Sequence, residues 1–306
     1  MSTEGSTKAI LAALAANAGI AAAKFVGYLI TGSSSMLAEA VHSVADTSNQ
    51  GLLLFGQREA RKEPDSLHQF GYGRSRYFYS FVVALVLFTL GSIFALYEGY
   101  HKISHPAPLT SPIVAVVILM VAIGLESYSF RTAMVESRPL KGKSTWWQFI
   151  RRSRSPELPV VLLEDTGALV GLVLALAGVG LTIVTDNPVW DGIGTVMIGV
   201  LLGVIAVILM VEMHSLLIGE GATPDEGRAI RTALEQTANV DRVIHLRTQY
   251  LGPEEMLVGA KIALAADTDL ATVAATIDGA EAAVRAAVPA AQVIYLEPDL
   301  DRALAR

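Results

Sequence analysis

The sequence predicts an α-helical membrane protein of six transmembrane helices, followed by a small α+β domain. Three observations predict it. Six apolar stretches approach or exceed the roughly 20 helical residues needed to cross a bilayer. Basic residues gather in alternate connections. After about residue 219 the pattern becomes that of a soluble domain. Composition agrees: 52% of residues are hydrophobic and only 17% charged, against about a quarter charged in a soluble domain.

The six spans are expected near 9–30, 36–57, 77–99, 111–136, 159–183 and 192–217. The second is the most interrupted, with Glu39, His42, Asp46 and Asn49 inside it, so hydropathy alone scores it poorly. The segment 58–76 holds Arg58, Arg61, Lys62, Arg74 and Arg76, and 137–158 holds Arg138, Lys141, Lys143, Arg151, Arg152 and Arg154. The alternate connections hold only Lys102. The positive-inside rule then places both termini and both basic loops in the cytoplasm. The opening MSTEGSTK has neither the basic start of a cleaved signal nor an Arg-rich transit pattern, so the first span is expected to be retained. With the Ala-rich composition, that suggests a bacterial plasma membrane.

Two domains are expected, 1–218 in the membrane and 219–306 in the cytoplasm. In the second, Thr223-Pro224-Asp225-Glu226 reads as a helix start, with Thr as N-cap, Pro at the first helical position and Glu closing a capping box. Helix 224–238, strands 241–250 and 256–265 joined around Gly252-Pro253, helix 268–287 and strand 291–296 follow. That order fits an open sheet with helices on one face.

The chemistry lies in the membrane. Ionisable groups at bilayer depth are costly and survive where they face a polar cavity or one another. His42 and Asp46 are four apart and share a helix face, with Asn49 three further along. An imidazole nitrogen and a carboxylate one turn apart can reach a single divalent ion. The fifth span adds Glu164 and Asp165, whose adjacent positions point about 100° apart. Asp165 is the first-choice ligand. Glu164 is a fourth ligand, a partner that holds His42, or a proton carrier. The bland alternatives are a His42 hydrogen bond within the bundle and an Asp46 pair with Lys24. Glu98 and Glu126 read as structural, and the GxxxG spacings of Gly167/Gly171 and Gly199/Gly203 read as helix packing. The insert 138–156, with Trp146, Trp147 and Phe149, reads mainly as a topology-setting loop with interfacial aromatics and in part as an amphipathic helix on anionic lipid.

With no cysteine, thiolate sites and disulfides are excluded. No HExxH accompanies the His–Asp pair, so membrane metallohydrolase chemistry is not expected, and the chain is read as no enzyme. The net charge of −6 singles out no partner, and nucleic acid is not expected among them.

Several motifs in order resemble the cation diffusion facilitator family of metal–proton antiporters. They are Ser34 to Asp46 with its HxxxD pair, Pro64 to Arg74 in the following loop, Asn187 to Gly194 at the start of the sixth helix, and Asp241 to Thr248 on the first cytoplasmic strand. The run His42 to Leu53 and Leu162-Leu163-Glu164-Asp165-Thr166 are similar to the family's mitochondrial zinc transporter branch. The resemblance implies a homodimer with a ferredoxin-like cytoplasmic domain, and a transport site with two ligands from the second helix and two from the fifth. His42, Asp46 and Asp165 carry over. Val161 stands where the fifth helix would have a His, so Glu164, Asn49 or water must complete the shell. Oxygen donors in that place make manganese and ferrous iron plausible beside zinc, cobalt and cadmium. The loop site keeps Asp65 and His68, but Tyr72 replaces its second His. On the cytoplasmic strands His245 matches a ligand position, while Lys261 and Leu296 replace histidines, so a full binuclear site is not expected there. The transported divalent cation, zinc first, is the expected cargo, exchanged for protons, with no further cofactor. Membrane lipid and a second copy of the chain are the other expected partners. A non-transporting metal sensor is the rival reading.

Overall fold

A computed structural model describes residues 18–300. The chain divides into two compact units: residues up to Gln57 with Phe78–Met213, and Arg58–Tyr77 with His214 onward.

The first unit is helical. Its elements are α1 (Ala18–Thr31), α2 (Ser34–Ala60), α3 (Ser75–Ser104), α4 (Pro112–Lys141), the short α5 (Trp146–Arg152), α6 (Glu157–Thr185) and α7 (Val189–Ile218). The part of the expected first span covering 9–17 lies outside the described residues. Helices α3, α4, α6 and α7 are long and apolar enough to cross a membrane. α2 has the length (27 residues), but Glu39, His42, Asp46, Arg58 and Glu59 depress its hydropathy, as expected from its sequence.

The α1–α2 connection is two residues long. Gly32 takes φ +66°, a left-handed conformation that suits glycine, and its N–H donates to Tyr28 O at 2.8 Å. α2 is then capped from elsewhere in the chain. The Asp191 carboxylate in the first turn of α7 accepts from the Ser33 hydroxyl (2.8 Å), the Ser34 amide (2.8 Å) and hydroxyl (3.1 Å), and the Ser35 amide (3.4 Å) and hydroxyl. A fully buried carboxylate thus satisfies the first two open N–H groups of the helix, while the Ser33 hydroxyl accepts from the third, Met36, at 3.3 Å.

Helices α3 and α7 approach closely through small residues. A Cβ on Gly99 would lie 2.8 Å from the Val196 nitrogen, and one on Gly199 would lie 2.8 Å from the Leu96 nitrogen. α3 widens into a π-helical turn at Leu87–Ile93, from which the Ser92 hydroxyl donates to Gly199 O at 2.8 Å. Both GxxxG pairs face neighbouring helices: Gly167 meets Ile205 and Leu202, Gly171 meets Glu39, and Gly203 meets Ser92. The core between helices is filled by Leu87, Leu119, Leu172, Ile198, Leu202 and Leu209. The basic insert forms α5, closed by a Thr145/Gln148 capping box. Its Phe149 packs inward with Ala133 and Leu162 while Trp147 is half exposed. One of its aromatics therefore belongs to the protein interior rather than to an interface.

The second unit holds α8 (Pro224–Glu235), β1 (Arg242–Gly252), β2 (Glu255–Ala263), α9 (Leu270–Ala287) and β3 (Ala291–Asp299). The Thr223/Glu226 capping box with Pro224 at the first position forms as expected. The sheet runs in the order β1-β2-β3, antiparallel across the hairpin and parallel through the α9 crossover. Alternate β2 residues Met256, Val258, Ala260 and Ile262 are buried against Ile230 and Leu234 of α8 and Ala280 and Val284 of α9. The loop 58–77 belongs to this unit. Gly73 and Gly252 pack backbone to backbone, and Arg76 reaches Glu254 at 3.5 Å.

Candidate metal site

The expected ligands come from α2 and α6. On α2, i,i+4 spacing brings the His42 Nδ1 to 3.5 Å from the Asp46 Oδ1. His42 is fully buried, and among the described residues neither ring nitrogen has a hydrogen-bond partner; Asp46 Oδ1 is likewise sealed and without one. Buried polar atoms are normally satisfied. Orphaned imidazole nitrogens beside an orphaned carboxylate oxygen have the donor chemistry a divalent ion takes. Lys24 does not supply the missing partner. Its ammonium binds Glu39 at 3.1 Å and the Ser43 hydroxyl at 2.8 Å, so the alternative of an Asp46–Lys24 pair is set aside.

On α6 the adjacent carboxylates point to different neighbours. Glu164, 6% exposed, accepts from the Asn49 side-chain nitrogen at 2.6 Å and so faces α2. Asp165 accepts from the Ser129 hydroxyl at 3.2 Å and so faces α4. The 100° between neighbours on a helix does not prevent both from reaching one void. A cavity of about 20 Å³, room for a single water or ion, is lined by Ile20, Ser43, Asp46, Gln50, Glu126, Ser129, Val161, Glu164 and Asp165.

Three sequence-predicted residues, Asp46, Glu164 and Asp165, therefore border one cavity. His42 stands beside it on the same face as Asp46 without lining it. Asn49 holds Glu164 through its nitrogen, and among the described residues its Oδ1 has no partner. Among the described residues no three His, Asp or Glu side chains converge tightly enough to form a finished metal shell. Sequence reasoning passed over Glu126 as structural, yet it lines the cavity from the middle of α4. Its signal was its position in mid-span, with Ser129 on the same face three residues on.

The sequence model of the cation efflux transmembrane domain matches residues 10–218. The chain belongs to the cation efflux, or cation diffusion facilitator, family. It is 34% identical over 245 residues to the mitochondrial proton-coupled zinc antiporter SLC30A9 of Mus musculus, covering 79% of this chain and 43% of that protein. To metal tolerance protein C4 of Arabidopsis thaliana it is 30% identical over 259 residues, 84% of this chain and 57% of the relative. To the zinc transporter ZitB of Pectobacterium atrosepticum it is 28% identical over 251 residues, 81% and 72% of the two chains. The chain thus spans less than half the length of the mouse protein.

In this cation efflux protein the accessory positions are occupied differently. The Asp65 carboxylate accepts from the Tyr72 hydroxyl at 2.6 Å and from the amides of His68 (2.6 Å) and Leu67 (2.9 Å). The Tyr72 hydroxyl, followed by the His68 amide, holds the Asp65 carboxyl below its usual pKa, and the same bond raises the phenol of Tyr72. The His68 ring lies 4.4 Å from the Tyr72 ring, with Nδ1 3.6 Å from Asp65. Asp65 and His68 are together, then, but the carboxylate already orders its own loop. On the sheet, His245 pairs in register with Lys261, whose ammonium bridges Glu297 at 2.7 Å and Asp299 at 3.0 Å. Those two carboxylates raise the Lys261 pKa. A lysine charge ties β2 to β3 next to a position the family resemblance assigned to a ligand, and Leu296 packs against the domain core.

Proposed function

We propose that this protein is a secondary active transporter that exports a divalent cation, zinc foremost, from the cytoplasm in exchange for protons. One observation carries the reading: within the helical unit, Asp46, Glu164 and Asp165 from two helices border one ion-sized cavity, with the unpartnered His42 imidazole one turn away. Ligand binding requires deprotonated groups, so loading a cation on this set displaces protons, and protonation on the other face releases it. The mouse relative is named a proton-coupled zinc antiporter and the Pectobacterium relative a zinc transporter, which supports the cargo and the coupling. The basic residues of 58–76 and 137–158 support a cytoplasmic placement of both loops. We place the protein in a bacterial plasma membrane and read the working unit as a homodimer, as the family resemblance implies.

Reconstituted vesicles test this. With a pH gradient and a zinc-sensing dye, zinc flux should follow the gradient, collapse when a protonophore removes it, and fall to background in Asp46→Ala. Flux indifferent to the gradient would overturn the coupling. Flux undiminished in Asp46→Ala would overturn the site.

A further inference from the structure

Among the described residues, three of the four carboxylates around the cavity come from α2 and α6; the fourth, Glu126, comes from α4. Its orientation follows from its neighbour. Ser129 sits three residues further on the same helix face, and its hydroxyl donates to Asp165 at 3.2 Å. That bond docks the polar face of α4 onto the ligand-bearing turn of α6, and α4 packs along α6. Glu126 one turn away is thereby carried to the same void. Among the described residues no hydrogen bond or ion pair engages it. A carboxylate in mid-membrane with neither is retained where it meets a cation or a polar path.

The remaining lining is oxygen-rich. Ser43 and Ser129 offer hydroxyls and Gln50 an amide; among the described residues no imidazole or sulfur lines the cavity, and the chain holds no cysteine. His42 stands beside it with both ring nitrogens unpartnered. A shell of carboxylate and hydroxyl oxygens suits harder divalent cations, manganese among them, and lacks the nitrogen or sulfur donors that would favour zinc over them.

We infer that Glu126 is a direct contact of the transported ion, a fourth carboxylate that gives the site an oxygen-dominated shell and admits manganese alongside zinc. The inference rests on reading the cavity as the transport site. It goes beyond that reading by assigning a third helix to the site and a hard-cation selectivity to one residue.

The test is parallel zinc and manganese flux in proteoliposomes carrying the full chain, its Glu126→Gln variant and its Glu126→Asp variant. Glu126→Gln preserves shape and removes the charge. The expected result is a KM for manganese raised about tenfold or more, a smaller rise for zinc, and partial recovery of both in Glu126→Asp. If Glu126→Gln abolishes flux, manganese and zinc titrations of the purified variant by calorimetry give the same comparison through Kd. Unchanged KM or Kd for both metals in Glu126→Gln would overturn the inference, as would an equal loss for both metals that Glu126→Asp does not relieve. Wild-type vesicles that move neither metal would instead overturn the transport reading, so the two failures are distinguishable.

Discussion

The Asn49 side-chain nitrogen donates to the Glu164 carboxylate over 2.6 Å, so that α2 holds in place a carboxylate of α6 that borders the cavity beside Asp46. Both residues are buried, at 0% and 6% exposure. Asn49→Ala removes the donor and leaves a buried carboxylate unsatisfied. Such a loss costs about 1–3 kcal/mol, readable as a lower thermal midpoint in detergent. The KM for zinc should rise as well, because Glu164 is no longer oriented. Asn49→Asp should be worse than Asn49→Ala, since it sets a second carboxylate where a donor stood. An Asn49→Asp variant as stable and active as wild type would refute the account.

Lys24 and Glu39 form a buried ion pair at 3.1 Å, both nearly without exposure. Such pairs contribute little net, but removing one member leaves a bare charge, at a cost of about 3–5 kcal/mol. Lys24→Met and Glu39→Gln should each destabilise strongly, and the double variant should recover most of the loss. Transport should recover less than stability. Lys24 also binds the Ser43 hydroxyl, and Ser43 lines the cavity beside Asp46. A double-mutant cycle by thermal unfolding, run beside zinc flux, separates the two effects; additive losses in stability would exclude a coupled pair.

What could be read from the sequence followed the reach of each interaction along the chain. The capping box at Thr223 and Glu226 spans three residues, and the His42–Asp46 pair spans four, so helix geometry alone predicted both. Strand β2 was readable from its alternation, because it buries one face. The Asp191 anchor joins residues more than 150 positions apart and has no local signature. The alternative of an Asp46–Lys24 pair could not be told from the observed Lys24–Glu39 pair, because spacing along two separate helices does not set their relative rotation. Glu126 was passed over for the same reason. A single carboxylate on an apolar helix carries no partner in sequence, and only the docking of α4 on α6 through Ser129 and Asp165 shows where it points.

Tyr72 holds Asp65 ionised within the 58–77 loop. The Asp65 pKa lies below its ordinary 3.8, chiefly through the Tyr72 hydroxyl. The sign follows from linkage: a carboxyl lowered in the folded state stabilises fully above its ordinary pKa, and the contribution is lost as pH falls through the lowered one. The loop should therefore stay ordered through mildly acidic conditions and loosen only below the usual Asp range. Tyr72→Phe removes the bond and should move the Asp65 pKa back towards 3.8, readable by NMR titration of carboxyl-labelled aspartate in detergent. An Asp65 titration unchanged in Tyr72→Phe would show that the backbone amides alone set it.

Asp191 decides where α2 begins, and α2 carries His42 and Asp46. Its carboxylate takes five donors from Ser33, Ser34 and Ser35, three hydroxyls and two amides. Hydrogen bonds to a buried charge contribute more than neutral ones, and each donor left unsatisfied carries its own desolvation cost. Asp191→Ala should therefore cost at least about 3 kcal/mol and lower the thermal midpoint more than any single Ser33, Ser34 or Ser35→Ala change. Asp191→Asn keeps an acceptor but loses the charge that complements the helix dipole, and should fall between the two. Zinc flux gives the functional readout: a loosened start to α2 should raise KM even though Asp191 is not among the residues that line the cavity beside Asp46. An Asp191→Ala variant that melts with wild type would mean that the serine turn caps α2 without it.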